Sequence, residues 1–82
     1  MKTTRYFDEQ VCRKRPYLDR EWCAAALVNP LAHVVQIDGR HRFWIEVQDS
    51  EGVLRMLRVV TLEDGETIHN TFFDRGFRKP GS

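Results

Sequence analysis

At Pro30 the hydrophobic period of this chain changes, and that change constrains the fold more than any motif does. Before Pro30, apolar residues recur at helical spacing: Phe7 and Val11 first, then Leu18, Trp22, Ala25 and Ala26. After it, apolar and polar residues alternate along short segments punctuated by Asp38-Gly39, Asp49 to Gly52 and Asp64-Gly65. A chain of 82 residues has room for one domain. Residues 1–80 are expected to form it, with Gly81 and Ser82 set aside from the fold argument. A domain this small buries only about 60–65% of its unfolded surface, so it needs its aromatic residues in the core.

The spacing predicts a first helix over residues 7–15, stopped because the residue before Pro16 is pushed out of helical geometry. A second helix starts at Asp19, whose carboxylate can accept from the free amides of the first turn, and ends at Asn29 before Pro30. Strands are expected over residues 33–37, 40–48, 53–62 and 67–73. Links this short force neighbouring strands to be antiparallel. The expected fold is therefore α+β, with two N-terminal helices packed on one face of a four-stranded antiparallel meander. The other face stays open to water or to a partner. Phe77, beyond the turn at Asp74-Arg75-Gly76, can pack back on the sheet.

Alternation sorts the side chains. In the second strand, His41, Phe43, Ile45 and Val47 point to the helices; Arg42, Trp44 and Glu46 point out. In the third, Leu54, Met56, Val60 and Leu62 are taken as buried, which exposes Arg55 and turns Arg58 inward; a bulge would reverse this. In the fourth, Ile68 and Phe72 are taken as buried, leaving His69 and Thr71 out. The open face would then gather Arg42, Trp44, Arg55 and His69.

Composition removes several function classes. A net charge of +1 gives no global electrostatic case for nucleic acid, although residues 1–20 are locally basic and residues 49–66 acidic. The carboxylates of Glu63, Asp64 and Glu66 lack calcium-loop spacing and read as solvated turn residues. Cys12 and Cys23 read as free thiols, without the close ligand pairs of a zinc site, so neither metal nor cofactor is expected. The longest apolar run is too short to cross a bilayer, and the chain reads as cytoplasmic, without a membrane partner. His33 reads as a surface histidine and His41 as a satisfied edge histidine.

The open-face set has a chemical meaning. Metal-independent RNA cleavage needs a proton acceptor for the 2′-hydroxyl, a donor for the leaving oxygen, and positive charge on the phosphorane. His69 suits the proton transfers, Arg42 and Arg58 (or Arg55) the charge, and Trp44 stacking on an unpaired base. The rival reading is a non-catalytic module that binds a protein with the same face. A homodimer through an edge strand, residues 33–37 or 67–73, is a third expectation.

The segments RKRPYLDREWCAAALVNP, QIDGRHRFW and LRVVTLEDGETIHNTFFDRGF, with DGR at 38–40 and HNTFFDR at 69–75, resemble a family of small bacterial domains of unknown function. That family is similar, at a distance, to the BrnT and RelE type of toxin–antitoxin ribonucleases. The resemblance covers residues 6–79. It implies a RelE-like helix–helix–sheet fold, RNA as substrate, cleavage at the sheet surface, and a cognate antitoxin that masks the open face. The counterparts of the catalytic residues would be His69, Arg42 and either Arg55 or Arg58.

Overall fold

In a computed structural model that describes residues 1–78, the first helix, α1, runs from a π-wound segment, Phe7–Val11, into one α-turn, Cys12–Lys14. The Cys12 amide reaches the Phe7 carbonyl across the wider turn. Phe7 and Val11 both face the sheet and are almost completely buried. The Thr4 hydroxyl accepts from the Phe7 amide at 3.1 Å and so caps the helix start. Arg15, ahead of Pro16, leaves helical geometry. Helix α2, Arg20–Val28, starts where the sequence places it, with Asp19 Oδ1 accepting from the Glu21 amide at 2.8 Å.

Four strands follow: β1 Ala32–Val35, β2 His41–Gln48, β3 Leu54–Thr61 and β4 Ile68–Phe73. They form one antiparallel meander in the order β1-β2-β3-β4. The α+β architecture is thus the expected one, and Phe7, Val11, Cys23 and Ala26 pack on Phe43, Val47, Leu57, Val59 and Ile68 to form the core. Lys79 and Pro80, the end of the expected domain, lie outside the described residues.

The first hairpin is longer than its two-residue signal implied. The Gln36 amide donates to the Arg40 carbonyl at 2.7 Å and the Gly39 amide to the Gln36 carbonyl at 2.9 Å, so three residues form the loop. Asp49 and Gly52 repeat the arrangement. Such loops need a left-handed residue at their third position, and Gly39 (φ 89°) and Gly52 (φ 80°) supply it. The aspartates of the acidic turns are structural. Asp38, Asp49, Asp64 and Asp74 each accept a backbone amide two residues ahead.

Two facing assignments are corrected. In β3 the helix-facing residues are Leu57, Val59 and Thr61, all fully buried, together with Arg55 at the rim. Arg58 instead shares the opposite face with Trp44, its register partner. The reason is that β3 is apolar on both faces, so counting Leu54, Met56 and Val60 chose the wrong one; register with β2 decides it. In β4 the pairing slips between Val60/Thr61, so that Val60 opposes Asn70 but Thr61 opposes Ile68. His69 is the extra residue of this bulge. Ile68 and Thr71 therefore both face the core, and Phe72 faces out beside Arg58.

Candidate functional site

The far face of the sheet carries Arg42, Trp44 and Glu46 from β2, Met56, Arg58 and Val60 from β3, and Asn70 and Phe72 from β4. Its centre is occupied by a cluster around Arg58. Trp44 and Arg58 oppose each other without mutual backbone bonds, the closer of the two antiparallel pairings. The guanidinium lies 5.8 Å from the Trp44 ring centre and 5.0 Å from that of Phe72. Asp74, in the turn after β4, accepts from Trp44 Nε1 at 3.0 Å and lies 3.6 Å from Arg58 Nη1. Arg58 Nε is buried with no hydrogen-bond partner among the described residues. Phe77 returns over the sheet and stacks on Trp44 with ring centres 4.8 Å apart.

That return corrects a second expectation. Trp44 is on the predicted face but is only 6% exposed, so its ring already has a stacking partner. Burial alone would raise the Asp74 pKa. The bonds from Trp44 and the backbone, with the Arg58 charge, outweigh it and hold the carboxyl below its ordinary range.

His69 stands apart from this cluster. The outer edge of β4 is joined by the N-terminal segment: the Ile68 amide donates to the Lys2 carbonyl and the Thr4 amide to the Ile68 carbonyl, both at 2.9 Å. That brings Thr4 Oγ1 to 2.9 Å from His69 Nδ1, and the Tyr6 ring to 4.9 Å from the imidazole. Thr4 Oγ1 also accepts from the Phe7 amide, and with its second lone pair and its own proton it can bond Nδ1 in either tautomer of the ring. Desolvation, and then the positive charge of Arg40, lower the His69 pKa, so the ring is neutral at pH 7. Nδ1 is thus engaged by Thr4 whichever ring nitrogen carries the proton.

The remaining predicted residues are elsewhere. Arg42 Nε donates to the Gln36 side chain at the β1–β2 hairpin. Arg55 is on the helix side, where Nε donates to Asp49 at 3.0 Å and the guanidinium lies 5.8 Å from the Phe73 ring centre. Arg58 and Trp44 thus come together, while His69, Arg42 and Arg55 each occupy a separate environment. Asp74, Phe72, Thr4 and Tyr6 were not among the predicted site residues. The Thr4 cap, three residues ahead of Phe7, was the one such signal available in the sequence.

Two further features complete the surface. His33 Nε2 and His41 Nδ1 are 2.7 Å apart, and the His33 ring stacks on Phe43 at 4.2 Å. No group of three metal-ligating side chains occurs among the described residues, and no helix among them is long and apolar enough to cross a membrane. Beyond β1 lies no other element among the described residues. Leu31, Val34, Val35 and Ile37 there are all exposed, Ile37 completely. A groove is lined by Val34, Val35, Gln36, Ile37, Asp38 and Arg42. No family model matches this chain, and neither a curated protein nor a solved structure matches it.

Proposed function

We propose that this protein is a non-catalytic interaction module that binds a protein partner at the β1 side of its sheet. The observation that carries this reading is the set of exposed apolar side chains at Leu31, Val34, Val35 and Ile37 along one unpaired edge, with Val34 on the far face and Val35 on the helix side. Apolar surface on a bare strand edge is a standard means of docking by strand addition. The scattering of the expected catalytic set supports the same reading, since proton transfer and charge stabilisation must act on one phosphate. The test is a photo-crosslinking side chain placed at Ile37, with Arg13 on the exposed side of α1 as the control position. A discrete protein adduct from Ile37 and none from Arg13 is the expected outcome; equal yields at both would refute the assignment.

A metal-independent endoribonuclease of RelE or BrnT type, paired with an antitoxin, is the second reading. What favours it is His69, a neutral imidazole in a bulge beside the half-exposed phenol of Tyr6. Induced expression with growth and total RNA followed together tests it. Cleavage lost in His69→Ala supports it, and intact RNA under wild-type expression removes it.

A further inference from the structure

We infer that the partner of the β1 edge is a second copy of this chain, paired antiparallel about a two-fold axis at Val34. This rests on the interaction reading above. The backbone specifies the register. Gln36 donates to Arg40, which marks 36 and 40 as a hydrogen-bonded pair of β1 with β2. Alternation then makes Val34 with Arg42 a bonded pair as well, in agreement with the observed register. Ala32 and Val34 therefore spend their backbone groups on β2, and Gln36 spends its amide on Arg40 and its carbonyl on Gly39. His33 and Val35 aim theirs at the bare edge.

A two-fold axis at Val34 sets His33 opposite Val35 of the second copy, and Val35 opposite its His33. Both are bonded pairs, so every outward amide and carbonyl of His33 and Val35 finds a partner. The side chains agree with the backbone. Val34 meets Val34 on the far face of the sheet, and Val35 is covered on the helix side. The same operation covers both exposed valines of β1.

Charge and closure select a second copy over another protein. Residues 30–37 contain no Lys, Arg, Asp or Glu, so no fixed like charges oppose each other when two identical edges approach. The edge also lacks the lysine or inward charge that ordinarily deters such pairing. The other edge of the sheet is already engaged at Ile68 by residues 2–4. A two-fold pairing of β1 with itself is isologous, so it closes into a dimer and does not propagate a filament. With only four residues in the strand, the contact falls short of the roughly 800 Å² per partner of a standard interface, so a weak dimer is expected, with Kd on the order of micromolar or above.

Sedimentation of the full chain over a concentration series up to about 1 mM spans that range. The expected result is a mass that rises from monomer towards dimer. Val35→Pro deletes an outward amide that β2 does not use, and should hold the chain monomeric with its far-ultraviolet circular dichroism unchanged. Val34→Glu and Val34→Lys should each weaken self-association at least about tenfold, and an equimolar mixture should restore it, because the two-fold sets these charges face to face. A mixture that stays monomeric, or a dimer indifferent to all three substitutions, overturns the register. A wild type that is monomeric throughout overturns self-pairing. In that case a crosslinker at Val34 that captures a different protein leaves the interaction reading standing, and one that captures nothing removes both.

Discussion

Replacement of Asp74 by alanine tests whether the Arg58 cluster is structural, and its size can be worked from the contacts. The carboxylate accepts from Trp44 Nε1 at 3.0 Å, caps the Gly76 amide at 3.0 Å, and is the near counter-charge of Arg58 at 3.6 Å. A hydrogen bond to a charged acceptor contributes about 1.5–3 kcal/mol. Breaking a fully buried ion pair costs about 3–5 kcal/mol, because the remaining charge is left without compensation. Here the two side chains are 17% and 22% exposed and the pair is long, so the ionic part is well below that range. Asp74→Ala should therefore cost about 3 kcal/mol in all. At roughly 4–8 °C per kcal/mol for a domain of this size, the melting temperature should fall by about 12–24 °C.

The assay is urea and thermal denaturation in a Trp22→Phe background, where Trp44 alone reports. A double-mutant cycle with Arg58→Met identifies the cause. If the cost of Asp74→Ala comes from an orphaned guanidinium, the double variant should be more stable than Asp74→Ala alone, since the apolar side chain fits between Trp44 and Phe72 without a charge to satisfy. Strictly additive effects, or a loss below about 1 kcal/mol for Asp74→Ala, would refute this account of the cluster. The pH dependence has a definite sign. The folded carboxyl titrates below its ordinary value, so its contribution is complete above the unfolded pKa of about 3.9 and disappears as pH falls through the lower folded value. Asp74→Asn should flatten stability over that acid range and leave its shape near neutrality unchanged.

Three further outcomes follow from single positions. Leu57→Ala, at a fully buried site under both helices, should cost about 2–5 kcal/mol in chemical denaturation. Gly39→Ala places a Cβ 3.0 Å from Glu63 Cγ at a φ of 89°, and should destabilise the first hairpin by about 1–2 kcal/mol with the greatest amide-exchange increase in β1. The His69 imidazole, followed by nuclear magnetic resonance, should titrate below 6.5; its lowered folded pKa means stability is complete above the unfolded value and is lost as pH falls through the folded one.

The order of elements was legible because proline and aspartate mark helix ends chemically. Pro16 and Pro30 forbid helical geometry just before them, and Asp19 supplies the cap that α2 uses. The face of β2 was legible because its two sides differ in polarity. That of β3 was not, since Leu57 and Val59 compete with Leu54, Met56 and Val60 on hydrophobicity alone. The parity of β4 depends on the bulge at His69, next to Ile68, whose outward amide and carbonyl bond Lys2 and Thr4. No property of residues 67–73 encodes a contact with residues 2–4. The candidate site failed to assemble for the same reason: it was drawn by alternation across strands whose registers are set by turns and by the N-terminal segment.

The two margins of the sheet are built differently, and that difference bears on function. At β4, residues 2–4 bond Ile68 on both sides, and the Asp74 turn carries Phe77 back over Trp44. Residues 2–4 and 74–77 thus cover backbone and aromatic surface. At β1 the chain does the opposite. It leaves His33 and Val35 with outward backbone groups and brings Val34, Val35 and Ile37 into solvent. A small domain has little apolar surface to spare, since its core is thin. Polar replacements at Val34 or Ile37 would remove no core contact, because neither belongs to the core cluster. The exposed valines and isoleucine therefore contribute little to the isolated fold, and their contribution is expected where β1 meets another strand.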